Sequence, residues 1–270
     1  IMERHIENGS YPCLEWKVKI NDSIEKGTAG FLNIDKKNKI NHNSIYRIWS
    51  MTKPIISVAI AILEEKKIIS FNDPINKFLP QFNNLTVLKK IDGDLNETED
   101  LKIMPRIKDL LLHTSGFTYN FAINNLAKEY DKFKLFYSGD TTLEEEIDLL
   151  SKLPLLFQPG KKWHYSVSTD ILGRIIEIAY KKSLRKALQE LIFIPVGMTD
   201  TDFGISKDNI NRLVESYEYD ANEKKLTEIK YGNQKISNYS YPTDKHLTYA
   251  RGGHGLFSSF EDYFLFADML

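Results

Sequence analysis

The sequence predicts a mixed α/β (α+β) protein in which strands come first and helices dominate the middle of the chain. Two patterns carry this expectation. Residues 14–20 alternate apolar and polar side chains, as a half-buried strand does, whereas residues 54–63 form an almost unbroken apolar run. The 270 residues are 42% hydrophobic and 27% charged, which is ordinary for a globular chain of one large domain or two small ones.

The other elements follow from local patterns along the chain. A polar turn separates residues 14–20 from a second strand at 27–33, which predicts a β-hairpin. The apolar run belongs to a helix from about residue 50 to residue 66, and the lysines at its end suit a helix C-terminus. Residues 83–100 are expected to be irregular and exposed. Further helices are predicted at 107–112, at 121–138, after a capping-box sequence at 141–145, and at 168–180, 183–193 and 260–270.

Charge and composition exclude several classes of partner. Lys and Arg number 36 and Asp and Glu 37, so the net charge of −1 gives no argument for a nucleic acid or an anionic membrane. The longest apolar run is far shorter than the ~20 residues that a membrane span needs. No histidine pair has zinc-site spacing, so neither a metal nor a cofactor is expected. Cys13 is the only cysteine, which favours the cytoplasm, with the periplasm as the alternative if a leader was removed.

The most informative segment is an S-x-x-K sequence, formed by Ser50 and Lys53 at the start of the apolar helix. Positions i and i+3 lie on one face of a helix, so the hydroxyl and the amine can converge. A serine becomes a good nucleophile when a neighbouring base takes its proton, and a lysine in a mostly apolar site can accept or relay that proton. The helix N-terminus adds backbone N–H groups beside Ser50. Taken alone, the motif more often marks a serine that merely caps the helix.

A second cluster, Trp163-His164-Tyr165-Ser166-Val167-Ser168, follows the turn at Pro159-Gly160. Tyr165 is expected on a loop just before a helix. There its phenol could act as a general base toward a serine and then as an acid toward the leaving group. The alternative is that Tyr165, one of 14 tyrosines, only packs. Trp163 either lines an acyl pocket or belongs to the core.

Eight segments together carry a more specific signal than either cluster alone. They are residues 46–54, 72–75, 109–116, 159–160, 163–166, 170–173, 195–201 and 252–259. In this order, and nearly from end to end, they resemble the serine β-lactamase-related family in its class C branch, which includes β-lactamases, D-alanyl-D-alanine peptidases and carboxylesterases. The resemblance implies a β-lactamase/transpeptidase-like fold, with an antiparallel sheet flanked by helices. It also implies a single domain over residues 1–270 with a mostly helical subdomain at about 71–160.

The resemblance implies roles for the residues at matching positions. Ser50 corresponds to the acylated nucleophile, Lys53 to its proton partner and Tyr165 to the catalytic tyrosine. The Ser50 backbone N–H corresponds to one oxyanion donor. The implied reaction is acyl transfer on a small ester or amide, without a metal or cofactor. Four residues are predicted to contact the substrate, namely Trp163, Val167, Gly253 and His254.

Two departures from the family pattern bear on the substrate and on the extent of the fold. Class C β-lactamases have an asparagine two positions after the tyrosine, where this chain has Val167, whose side chain donates no hydrogen bond. The change favours an esterase-type acyl hydrolase. The alternatives are a β-lactamase or D-amino-acid peptidase, and a catalytically degenerate member that binds a ligand or partner. The family's third motif, a K-T-G, H-T-G or Gly-Gly-type element, does not occur before Leu270. The domain is therefore expected to be C-terminally incomplete and to lack its last strands. The open sheet edge could be covered by a partner or in a homo-oligomer, or the chain could be inactive.

Overall fold

Helices and antiparallel strands alternate along the chain in the computed structural model, which describes residues 2–136, 141–229 and 250–270. The strands in this part of the chain are β1 (Cys13–Ile20), β2 (Ser23–Asn33), β3 (Asn38–Lys39), β4 (Ile45–Arg47), β5 (Thr86–Leu88), β6 (Thr98–Asp100), β7 (Tyr217–Asp220), β8 (Lys225–Glu228) and β9 (Phe257–Ser259). The α-helices are α1 (Met2–Glu7), α2 (Thr52–Glu65), α3 (Ile107–Leu111), α4 (Asn125–Lys132), α5 (Leu143–Leu150), α6 (Ser168–Tyr180), α7 (Leu184–Leu188), α8 (Ile194–Val196) and α9 (Phe260–Met269). The mixed α/β class predicted from the sequence is confirmed.

Every strand ladder in the described residues is antiparallel. β1 and β2 form the predicted hairpin, with Cys13 opposite Gly30, and β3 continues on β2. β5 pairs with β6, and β7 with β8. β4 pairs with β9, so that Tyr46 lies opposite Ser258 although the two are far apart in the sequence. This long-range pair brings the segment at 250–256 beside the turn that precedes α2.

α2 is a central helix because its apolar side chains recur three and four residues apart. Ile56, Ile60 and Leu63 are fully buried on this face. Pro54 lies in the first turn, where a missing backbone N–H leaves no helix bond unmade. α6 packs against α2, α3 and α5. One hydrophobic core extends through these helices, from Ile48 to Phe266.

Some local predictions differ from the structure. Residues 83–100 are not irregular, and that prediction is wrong, because they contain the β5–β6 hairpin with Val87 and Leu88 buried. Strands of three residues show no periodicity that a sequence window resolves. The helix predicted at 121–138 is the shorter α4, capped by the Asn124 side chain, and residues 137 and 138 lie outside the described residues. The helix predicted at 183–193 is α7 followed by a π-helical turn at Gln189–Phe193.

The region at 71–160 contributes its buried side chains to the same core as α2. It holds the β5–β6 hairpin together with α3, α4 and α5, and its standing as a helical subdomain stays a prediction. Within the part of the chain that the structure describes, no helix is both long enough and apolar enough to span a membrane.

Candidate active site

The turn before α2 carries Ser50 at the protein surface. Trp49–Met51 forms a 3-10 turn and α2 begins at Thr52, so Ser50 precedes the α-helix by two residues. The backbone of Trp49 has a φ of +46°, a left-handed conformation that costs an L-residue about 1–2 kcal/mol. A conformation of this kind persists only where the surrounding structure holds it.

The segment before β9 supplies that support. The Ile48 N–H donates to the Leu256 carbonyl at 3.1 Å, and the Leu256 N–H donates to Thr52 Oγ1 at 3.2 Å. Thr52 is fully buried, so its hydroxyl is satisfied by this contact away from water. The pairing of β4 with β9 therefore fixes the turn that presents Ser50.

Lys53 and Tyr165 meet at the Ser50 hydroxyl. Lys53 Nζ donates to Ser50 Oγ at 3.2 Å, and the Tyr165 hydroxyl lies 3.0 Å from the same oxygen, with either hydroxyl able to donate. The three side chains predicted to converge thus meet at one atom, since Lys53 and Tyr165 both lie within hydrogen-bond reach of Ser50 Oγ. Their catalytic roles stay a prediction, because geometry alone does not measure reactivity.

The Lys53 amine is held by more than the serine. Its Nζ donates to the Gly253 carbonyl at 2.7 Å and lies 4.8 Å from the Tyr165 ring centre and 5.4 Å from that of Tyr119. Aromatic faces attract a cation within about 6 Å. Two rings, a carbonyl and the serine hydroxyl therefore define the position of the amine.

The Gly253 backbone also contacts a buried carboxylate. Its N–H donates to Asp170 Oδ1 at 2.8 Å. A Cβ atom at Gly253 would lie 2.5 Å from Asp170 Oδ2 and 2.9 Å from the Tyr119 hydroxyl, so only glycine fits here. Burial raises the pKa of Asp170 to about 6, although the Lys53 ammonium, the Gly253 N–H and Arg251 each act to lower it.

Two loops position the Tyr165 ring. The His164 N–H donates to the His113 carbonyl at 2.9 Å, and the Val167 N–H donates to the Thr118 carbonyl at 3.2 Å. The Tyr165 ring lies 5.0 Å from the His113 ring and 5.2 Å from the Tyr119 ring, measured between ring centres. Burial, with help from Lys53 and His164, lowers the pKa of His113 to about 4, so its imidazole is neutral at pH 7.

The four residues predicted to bind substrate occupy different environments. The Trp163 ring is 68% exposed and lies 6.5 Å from the His113 ring, whereas the Val167 side chain is buried in the core. Gly253 is buried against Lys53. His254 is partly exposed, and burial of its ring, followed by the charges of Lys53 and Arg251, lowers its pKa to about 3. Substrate contact by these four residues stays a prediction.

Sequence reasoning gave no role to two residues beside this cluster. Asp170 and Tyr119 both contact the neighbourhood of Lys53, yet neither lies next to it in the sequence. An aspartate directly before the apolar residues of α6 was a usable signal, because a carboxylate on a buried helix face needs a partner. Tyr119 carried no comparable signal. Among the residues that the structure describes, no three His, Cys, Asp or Glu side chains are grouped to hold a metal ion.

The fold and this cluster define a mixed α/β protein with an exposed serine beside a lysine and a tyrosine. A sequence model of the beta-lactamase family matches residues 8–270, and the chain therefore belongs to the beta-lactamase family. An uncharacterized protein of Mycobacterium tuberculosis is 30% identical over 249 residues, which are 92% of this chain and 59% of that protein. Esterase EstB of Burkholderia gladioli is 28% identical over 183 residues, which are 67% of this chain and 44% of that enzyme.

Solved structures show the same fold. The structure of EstCE1, described as a hydrolase with promiscuous acyltransferase activity, matches with a TM-score of 0.80 at 20% identity, over 98% of this chain and 68% of that one. Simvastatin synthase (LovD) from Aspergillus terreus, a LovD6 mutant, matches with a TM-score of 0.78 at 20% identity, over 98% of this chain and 63% of that one. The β-lactamase/transpeptidase-like fold expected from the resemblance is confirmed. The chain spans 59% of the length of the M. tuberculosis relative.

Proposed function

We propose that this chain carries the reacting groups of a serine acyl hydrolase that acts on small esters. One observation carries the proposal. The exposed Ser50 hydroxyl lies 3.2 Å from the Lys53 amine and 3.0 Å from the Tyr165 phenol. A nucleophile in hydrogen-bond contact with two groups that can move its proton is the arrangement that covalent acyl transfer requires. Simple ligand binding requires no such trio.

In the proposed reaction, Ser50 Oγ attacks the carbonyl carbon of an ester while its proton passes to the Tyr165 oxygen, which lies beside the Lys53 ammonium group. The carbonyl electron pair moves onto oxygen, and the Ser50 backbone N–H is the proposed donor to that oxyanion, worth on the order of 3 kcal/mol. Collapse of this intermediate expels the alcohol, which takes the proton back. Water then attacks the acyl-serine in the same way and releases the acid.

The surroundings of Tyr165 support an ester with an apolar group. Phe121 is 68% exposed and stacks on Tyr119 at 4.7 Å between ring centres, and Trp163 is equally exposed beside His113. Tyr119 and His113 both pack against Tyr165. Exposed aromatic rings beside a reacting centre favour an apolar acyl or alcohol group. The similarity to an esterase and the absence of an amide at Val167 point the same way.

Covalent labelling tests the nucleophile. We expect a fluorophosphonate to modify Ser50, located by peptide mass spectrometry, and Ser50→Ala to remove the label. Ser57→Ala, on the same helix but with no hydrogen bond from its hydroxyl to Lys53 or Tyr165, is the matched control and should label like the wild type. Labelling that persists in Ser50→Ala, or none in the wild type, contradicts the proposal.

Substrate comparison separates the esterase from its alternatives. We expect p-nitrophenyl acetate to be turned over faster than nitrocefin, because no side-chain amide stands at residue 167. Faster turnover of nitrocefin would instead favour the β-lactamase or peptidase alternative. Binding of a ligand with neither turnover nor labelling would favour a degenerate binding protein. Association of the chain with itself stays a prediction.

A further inference from the structure

A buried carboxylate next to the site has no part in the reaction described above. Asp170 is fully buried in the first turn of α6, and only its Oδ1 has a donor, since Oδ2 has no hydrogen-bond partner among the described residues. Burying an ionisable group is unfavourable, and an oxygen without a donor makes it more so. Stability alone therefore does not explain a carboxylate at this position.

Gly253 connects the carboxylate to the lysine. Its N–H donates to Asp170 at 2.8 Å, while its carbonyl accepts from Lys53 Nζ at 2.7 Å. The peptide groups on either side of Gly253 are planar, so only two torsions separate its N–H from its carbonyl. Whatever holds the Gly253 N–H therefore also limits where the carbonyl points, and through it where the amine meets Ser50.

Other contacts already fix the rest of this segment. Arg251 forms an ion pair with Glu146 of α5 at 2.8 Å, with both side chains buried, and its Nη2 donates to the Thr141 carbonyl at 3.0 Å. On the other side of Gly253, the Leu256 N–H donates to Thr52 Oγ1. Arg251 and Leu256 thus hold the segment 251–256 on both sides of Gly253 without Asp170. The carboxylate is therefore left to orient the Gly253 peptide groups rather than to hold the whole segment.

We propose that Asp170 is a positioning residue for acyl transfer, whose carboxylate orients the Gly253 peptide and attracts the Lys53 amine into place on Ser50. The role rests on the proposed function, since it acts only through Lys53 and Ser50. An ionised carboxylate makes a stronger hydrogen bond to an N–H than a neutral acid and attracts an ammonium group. Protonation of Asp170 weakens both effects.

The groups that face Asp170 define the pH range in which its carboxyl loses its charge and no longer positions Lys53. The carboxyl has a pKa of about 6, raised by burial and by Glu146 and lowered by Lys53, the Gly253 N–H and Arg251. Burial holds the pKa of Tyr119 well above its ordinary value, so this phenol stays neutral. His113 and His254 have pKa values lowered to about 4 and about 3, so both are neutral above pH 5. Burial also raises the pKa of Glu146, which pairs with Arg251, so the Asp170→Asn variant decides which carboxyl causes a loss of reactivity near pH 6.

The test compares the rate of Ser50 labelling by a fluorophosphonate from about pH 5 to pH 8 in the wild type and in Asp170→Asn. Asparagine keeps an oxygen that can accept from the Gly253 N–H and removes the charge. The wild-type rate should fall as the pH drops through about 6. Asp170→Asn should react roughly tenfold to a hundredfold more slowly at pH 7.5 and lose the acid limb, because small misplacements of reacting groups have effects of this size.

Asp262→Asn is the matched control. Asp262 is also buried in the first turn of a helix, α9, and also accepts a backbone N–H, from Asp200 at 2.7 Å. It has no contact with Ser50, Lys53 or Tyr165, so its variant should keep the wild-type rate and acid limb. An Asp170→Asn variant with both properties unchanged overturns the proposal.

A measurement on the wild type keeps the proposal testable if Asp170→Asn does not fold. In protein labelled with 15N-glycine, the Gly253 amide resonance should titrate with a midpoint near the carboxyl pKa of about 6. A Gly253 resonance that does not move over this range overturns the positioning role alone. Wild-type protein whose Gly253 amide titrates but whose Ser50 is never labelled overturns the proposed function instead.

Discussion

Two buried aspartates occupy the same position in two helices but have different surroundings. Asp170 is the third residue of α6 and Asp262 the third residue of α9. Each accepts one backbone N–H from a distant segment, at 2.8 Å and 2.7 Å. Burial raises the pKa of both carboxyls.

The difference lies in what completes each carboxylate. Asp262 also accepts from the Thr201 hydroxyl at 2.8 Å, and that hydroxyl in turn contacts Ser258 Oγ at 2.7 Å in β9. Among the described residues, one oxygen of Asp170 has no hydrogen-bond partner. The other accepts from the Gly253 N–H, and the Gly253 carbonyl accepts from Lys53. A buried carboxylate whose oxygens accept all their hydrogen bonds from the protein stabilises the fold. A buried carboxylate that lacks a hydrogen-bond donor and lies beside reactive groups indicates a functional role.

Removing the Lys53 amine has the largest expected effect, because Asp170 is proposed to act on Ser50 through this amine. Lys53→Met keeps most of the apolar stem but removes the amine that joins Gly253 to Ser50. We expect Ser50 labelling to slow by a factor on the order of 10³, the size of a general acid–base contribution. Rates of labelling and of ester hydrolysis, each per folded molecule, measure it.

Lys66→Met, at the exposed end of the same helix, is the control and should match the wild type. If Lys53→Met labels Ser50 at a rate within a few-fold of the wild type, Asp170 cannot influence the reactivity of Ser50 through Lys53.

The second-largest expected effect is on stability, in the pH dependence of the free energy of unfolding of the wild type relative to Asp170→Asn. The folded-state pKa of about 6 exceeds the ordinary value of 3.8, so the folded protein binds the proton more tightly than the unfolded chain. The stability contributed by protonated Asp170 is therefore fully present below about pH 4 and is lost as the pH rises through 6. Relative to the asparagine variant, the wild-type free energy of unfolding should fall by about 2 kcal/mol between pH 4 and pH 7.5. Urea unfolding at several pH values measures it, and a constant difference between the two proteins would refute it.

Asp262→Ala tests the structural side. It leaves the Asp200 N–H and the Thr201 hydroxyl without their acceptor, so the free energy of unfolding should fall by about 2 kcal/mol at pH 7. The labelling rate per folded molecule should not change. Slower labelling of the folded fraction would mean that the two aspartates do not differ in the way proposed.

Trp163→Ala has the smallest expected effect and shows how far the site extends from Tyr165. Because the ring is largely exposed, its removal should leave the free energy of unfolding unchanged. KM for an ester with an apolar acyl chain should rise by roughly threefold to tenfold, with little change for the acetate ester. Tyr219→Ala, a similarly exposed aromatic in β7, is the control. Equal KM values for Trp163→Ala and wild type would exclude the ring from the acyl site.

The elements that the sequence predicted are those with long periodic patterns. The β1–β2 hairpin, α2 and α6 were predicted because alternation or a recurring apolar face extends over many residues. β4, β5, β6 and β9 span three residues each, and their pairing depends on partners elsewhere in the chain. Local patterns cannot specify such partners, so these strands were missed.

The residues of the candidate site also differ in whether neighbouring residues in the sequence were enough to predict them. Ser50 and Lys53 lie within one turn, and their spacing alone placed the amine near the hydroxyl. Tyr165 was placed with them through the resemblance of many motifs, because its own sequence neighbourhood fits packing equally well. Asp170 and Tyr119 were given no role, since both reach the site through Gly253 and Lys53, on segments distant from their own.

By itself, the sequence determined the mixed α/β class, the hairpin, the central helix and the adjacency of serine and lysine, because each depends on residues within a few turns of one another. The tertiary structure alone decided that Asp170 of α6, rather than Asp262 of α9, is connected to Lys53 through a single residue, Gly253. Hydrogen bonds between segments far apart in the chain form only when packing brings their backbones together, and no local pattern encodes that distance.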